Sequence, residues 1–112
     1  MRLFPVLALV SVAAAQPAAA EERWKEYWEC EENVLANVDL VEPSILDGAE
    51  LIVSALCVMV ASDLANDMVS QRGMATAQPF AAAFESALSA IRRETAIKLY
   101  NTRLLRLGLK EN

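Results

Sequence analysis

From Glu21 to Val41 the apolar residues Trp24, Tyr27, Trp28, Val34, Leu35, Val38 and Val41 recur at three- and four-residue spacings, with Glu22, Lys25, Glu26, Glu29 and Glu32 between them. That period predicts a helix over about 21–41 with one apolar stripe and a charged, solvated outer face. Pro43 cannot continue it, and Ser44 followed three residues later by Asp47 has the spacing of a helix N-terminus. A second helix is expected over about 45–72, closed by Gly73. Thr76 is suited to cap a third, over about 77–107, with Pro79 in its first turn and Gly108 as its stop. The expected fold class is all-α, a small three-helix up-down-up bundle.

Residues 1–20, MRLFPVLALVSVAAAQPAAA, have a different pattern: a basic start at Arg2, an apolar stretch from Leu3 to Val12, then small residues up to the first acid, Glu21. This is the layout of a secretory signal peptide, with cleavage expected after Ala20 or, alternatively, Ala15. Its apolar core is well short of the ~20 residues a spanning helix needs. The expected product is a single helical domain, 21–112, periplasmic or secreted, with no stable membrane insertion.

An exporting compartment permits disulfides, and the chain has two cysteines. If the first two helices form an antiparallel hairpin turning at Pro43-Ser44, Cys30 and Cys57 lie equally far from the turn and meet side by side. One disulfide is therefore expected to staple these helices.

The uncharged run between Glu50 and Asp63 is apolar all the way round and too short to cross a bilayer. On a straight helix it divides into two groups. Leu51, Cys57, Val58 and Ala61, continuing into Leu64, Ala65 and Met68, would face the other helices. Ile52, Leu56, Met59 and Val60 fall largely opposite, to be wrapped by the bundle or to meet another chain. The third helix poses the same question: Phe80, Phe84, Ala87, Leu88 and Ile91 lie on one side, whereas Ile97, Tyr100, Leu104 and Leu107 lie about 180° away by wheel placement. Either this helix bends near Arg92–Thr95 or its second half packs against something beyond the bundle. Ile52, Leu56, Met59, Val60, Ile97, Tyr100, Leu104 and Leu107 are thus the candidate interface.

Charge adds a constraint. Residues 21–50 carry ten acids and two bases, whereas 92–112 carry six bases and two acids, so the first and third helices should attract each other, within a chain or between two. Glu31 lies inside the apolar stripe, where an ionised group is costly unless paired. Straight-bundle levels place it beside Arg93, with Arg92 adjacent, and a structural ion pair with one of them is expected.

No residue pattern specifies a chemistry. Histidine is absent, which removes His-dependent triads, His-based metal ligation and the commonest general base near neutral pH, and no second inward carboxylate matches Glu31. No enzyme activity, metal or cofactor is expected, and the net charge of −5 does not favour nucleic acid. Trp28-Glu29-Cys30-Glu31-Glu32 resembles the Trp-x-Cys-Glu-acid run near the start of the periplasmic acid-stress chaperones. The resemblance spans five residues, and the Cys30–Cys57 interval is shorter than that family's. It implies an acid-triggered holdase as the alternative to the main expectation, an exported interaction protein that binds itself, as a homodimer, or another exported protein.

Overall fold

The computed structural model describes the backbone of residues 3–72 and 79–110, and side chains from residue 21 onward within those stretches except 71 and 72. The described residues form four α-helices: α1 (Leu3–Val41), α2 (Ile45–Leu51), α3 (Val58–Arg72) and α4 (Phe80–Arg106), with a π-helical segment, Ile52–Leu56, between α2 and α3. No strand occurs among them. Residues 3–20 of the expected leader fall in the first half of α1, where side chains lie outside the described residues, as do residues 1 and 2, Gly73 and Thr76. Among the described residues no single helix is long and apolar enough to cross a membrane.

Local chemistry accounts for the helix ends. At the start of α2 the Ser44 hydroxyl accepts from the Asp47 N–H at 3.2 Å, while the Ser44 N–H donates to Glu42 Oε1 at 3.1 Å. The cap is therefore completed from upstream, by Glu42, rather than by Asp47. Pro79 stands immediately before α4 as its N-cap instead of inside its first turn. Gly108, at φ +77°, ends the helix: its N–H bonds to Leu105 O and the Leu109 N–H to Leu104 O, the paired bonds of a Schellman cap.

The single straight helix expected over 45–72 is not formed. The chain turns by 91° between Ile45–Leu56 and Val58–Ser70. The corner is built by a π turn in which the Cys57 N–H reaches Ile52 O at 2.7 Å, and Cys57 itself leaves helical geometry at φ −122°, ψ 29°. Neither Pro nor Gly lies at the break; the π turn is its local cause. Burial is the gain: Ile52 and Val53 reach the core before the corner, and Cys57, Ala61, Leu64 and Ala65 after it. A straight rod would present these groups to opposite sides, so the bend resolves the all-round apolar run.

Gly48 lets α2 approach α1 and α4 closely. A Cβ there would stand 2.6 Å from Leu99 Cδ2 and 3.1 Å from Val38 Cγ1, both on fully packed side chains. Gly48→Val is expected to lower stability by roughly 1–3 kcal/mol through overpacking, measured by urea denaturation.

Helix α4 is one uninterrupted helix, with neither half set aside. Its buried residues are Ala83, Ala87, Ile91, Thr95 and Leu99. Successive steps of four residues advance 40° around a helix, so this ridge winds steadily from one wheel side toward the other. The two apolar stripes read from the sequence are consequently not two core faces: Ile97, Tyr100 and Leu107 remain exposed.

Candidate functional site

Cys30 and Cys57 form the expected disulfide, with Cα atoms 5.9 Å apart, an ordinary span for such a bond. It joins the second half of α1 to the corner residue itself. By loop-closure entropy a 27-residue separation is worth roughly 3–4 kcal/mol. Cys30→Ser is therefore expected to lower the thermal midpoint substantially while leaving far-ultraviolet circular dichroism helical.

Two buried polar contacts hold α4 alongside α1. The Tyr27 hydroxyl meets Thr95 Oγ1 at 2.5 Å inside the core, and burial pushes the phenol's pKa well above its usual value. One turn on, fully buried Glu31 takes Lys98 as its partner, Nζ standing 3.1 Å from Oε1. The approach is within ion-pair range but lacks the alignment of a hydrogen bond, and neither Glu31 oxygen accepts one. The same ammonium lies 4.9 Å from the centre of a Trp28 ring, a cation–π contact. Neither Arg92 nor Arg93 fills the role expected from the sequence. Arg92 instead reaches Glu50 at 3.4 Å and Glu85 at 3.0 Å, and Arg93 is exposed. The corner explains the error, because residues 45–56 run out of line with α3 and the levels of a straight ladder no longer apply.

A second carboxylate, Asp39, was not singled out by sequence. Its side chain is buried and lies between two guanidinium groups of α4, with Arg106 Nε donating at 2.6 Å and Arg103 Nε at 2.7 Å. Arg106 and Arg103 together hold the Asp39 carboxyl below the usual carboxylate range against the opposing effect of burial. Arg103 also donates to the carbonyls of Asp39, Glu42 and Pro43. The Asp39 carbonyl is among the last of α1 and those of Glu42 and Pro43 follow directly after it, where a cation is favoured, so Arg103 caps α1 from another helix. The available sequence signal was two arginines three residues apart in a base-rich segment.

The interface candidates separate into three groups. Ile52 is buried and Val60 is half-buried against the core, so neither belongs to an open face as expected: the corner turns Ile52 inward. Leu104 is half-buried. Leu56 and Met59 at the corner, and Ile97, Tyr100 and Leu107 at the far end of α4, are exposed, Met59 to 77%. Between α2 and α4 runs an open groove of about 390 Å³ floored by Ala49 and Ala96 and flanked by Leu46, Glu50, Arg92 and Arg93. What this arrangement offers chemically is apolar contact beside charged groups, of which Arg92 and Glu50 already pair with each other; both buried carboxylates, Glu31 and Asp39, are committed to cations of the same chain.

No protein-family model matches the chain, and neither a curated protein nor a solved structure is significantly similar to it. What is established is an all-helical, disulfide-stapled fold with a broken second helix.

Proposed function

We propose that the protein is a small exported interaction module that acts by binding protein, in the first place a second copy of itself, and performs no catalysis of its own. In this reading residues 1–20 are removed as a signal peptide, and 21–112 work as one domain in the periplasm or outside the cell, a bundle of up-down-up course elaborated by the corner at Cys57. A disulfide-bonded cysteine pair is consistent with such a compartment.

The observation that carries the reading is apolar exposure on a fold whose core is otherwise complete. Nine large apolar side chains among the described residues are more than half exposed. Single exposed apolar residues are ordinary, but this many on so short a chain forfeit burial worth roughly 1.5–3 kcal/mol for each large side chain. Association recovers part of it. Light scattering on the exported, oxidised protein from 1 to 100 μM tests this: a mass rising to twice the monomer's is expected, and a constant monomer mass contradicts it. The intact mass of the same sample tests cleavage before Glu21 and is expected to be two hydrogens below that of the reduced chain.

The holdase alternative draws its support from Asp39, whose ion pairs pin the end of α4 to the end of α1. Because the folded carboxyl titrates below the ordinary range, the pin holds through mild acid. A holdase of this design suppresses aggregation of an acid-unfolded client only well below about pH 4. Activity at pH 5 would rule out this trigger.

A further inference from the structure

The groove between α2 and α4 has two unlike ends. Arg92 reaches Glu50 at 3.4 Å, whereas Gly48 packs against Leu99. Moving back along α2 therefore means moving forward along α4, and the two helices run antiparallel. Glu50, Ser89, Arg92 and Arg93 line one end of the groove, and Leu46 and Ala96 the other, with Ala49 between them. Ser89, Arg92, Arg93 and Ala96 fall at the three- and four-residue spacings of a single α4 face.

The polar end has donors to spare and acceptors already in use. Arg92 is committed to Glu50, to Glu85 at 3.0 Å and to the Ser89 hydroxyl, which accepts from it at 3.2 Å. Glu50 is committed on both oxygens, Oε1 to Arg92 and Oε2 to the Ser54 hydroxyl, which donates at 2.5 Å. What remains is the Ser89 hydroxyl proton, which has no acceptor among the described residues, and the exposed Arg93 guanidinium, which has no ion pair among them. Such an end complements an anion with free lone pairs and disfavours a cation. The unspent donors set that sign; net charge does not.

The apolar end sets the rest of the ligand. Ala49 and Ala96 form the floor, so no large side chain fills the space of about 390 Å³ above them. That volume lies within the range of small-molecule sites, whose walls are mostly apolar with a few convergent polar groups. Leu46, 75% exposed, stands at the rim and gains cover from any apolar group laid against it. From Ser89 to Ala96 α4 rises about 10 Å. An anionic head held by Ser89 and Arg93 leaves room there for one short alkyl chain running toward Ala96 and Leu46.

We propose that the α2–α4 groove is a binding site for a medium-chain fatty carboxylate. Its carboxylate oxygens accept from the Arg93 guanidinium and the Ser89 hydroxyl, and its chain lies along Ala49, Ala96 and Leu46. The site is complete within one copy of the chain, so it stands apart from the proposed self-association.

Titration of the exported, oxidised protein with octanoate, followed by nuclear magnetic resonance of its backbone amides, tests the assignment. Saturable shifts centred on residues 46–50 and 89–96 are expected. Affinity should rise from butanoate to octanoate by up to about fourfold for each added carbon, and octylammonium should bind at least 10-fold more weakly than octanoate. Arg93→Gln is expected to weaken octanoate roughly 10-fold or more, the loss of a charge-assisted contact, and Ala96→Leu to weaken it by filling the floor. Met59→Lys, outside the groove, leaves binding unchanged. Arg93 is exposed, so its variant tests the site even if Ala96→Leu disturbs the packing. No shifts at millimolar octanoate, equal binding of octylammonium, or full affinity in Arg93→Gln overturns the proposal. Acetate binding as tightly as octanoate reduces the groove to an anion site and overturns the fatty chain. A short apolar peptide with a free terminal carboxylate that binds more tightly than octanoate overturns the choice of a lipid.

Discussion

Lys98→Met is expected to destabilise the fold by about 3–5 kcal/mol, the usual cost of leaving one member of a buried ion pair alone. The reason is Glu31. Its carboxylate is fully buried on the inner side of α1, accepts no hydrogen bond, and has the Lys98 ammonium as its charged partner at 3.1 Å. Lys98 itself is one-third exposed, so the loss arises almost wholly from the acid left behind. The double variant Glu31→Leu/Lys98→Met should return to within about 1 kcal/mol of the parent or exceed it, because well-packed apolar replacements of a buried pair are often neutral or better. Urea denaturation of the two single variants and the double variant measures the coupling directly. If Lys98→Met alone leaves the midpoint unchanged, Glu31 is solvated in a way its burial denies.

Asp39→Asn is the second large effect, also about 3–5 kcal/mol at neutral pH. The amide cannot satisfy Arg103 and Arg106 together, and Arg103 then loses part of its hold on the end of α1. The pH dependence follows from the lowered pKa of Asp39. A carboxyl that binds its proton less readily in the folded state than in the unfolded one stabilises the fold above the unfolded value of about 3.9. That contribution disappears as pH falls through the lower folded value. The difference between parent and Asp39→Asn should therefore be greatest from pH 5 to 7 and should shrink toward pH 2. A difference that grows on acidification contradicts the assignment of the stabilising charge to Asp39.

Helix punctuation proved readable because capping and chain breaking are local. Pro43-Ser44 ends one helix and starts the next, and Gly108 ends the last; the Cys30–Cys57 bond expected from the sequence is present, although the straight hairpin used to place it is not. The 91° corner was not readable, since Ile52–Leu56 contains neither Gly nor Pro and periodicity assumes a straight rod. What makes the corner is tertiary: burial of Ile52 and Val53 on one side of Cys57 and of Ala61 and Leu64 on the other. Both site errors descend from it. Ile52 was assigned to an open face that the bend turns inward, and Glu31 was paired with Arg92 or Arg93 by a level rule that fails once residues 45–56 leave the helix line.

The opposed stripes of α4 were seen correctly as a pattern, and of the two alternatives drawn from them the bend is absent, since the helix runs unbroken from Phe80 to Arg106. A ridge at four-residue spacing winds around a straight helix, and small or weakly polar residues, Ala83, Ala87 and Thr95, carry it without leaving a strong apolar signal. The Asp39 cluster was legible only as an imbalance of charge between the first helix and the last. Which acid meets which base depends on register across α1 and α4, and no single helix encodes that register.

The proposed association uses exposed apolar surface on a stapled frame. Hydrogen exchange followed by mass spectrometry at 1 and 100 μM reads this most directly, since it reports where backbone amides become protected as copies meet. Slower exchange at the higher concentration is expected, confined to segments that carry exposed apolar side chains. Exchange that is the same at both concentrations along the whole chain contradicts it.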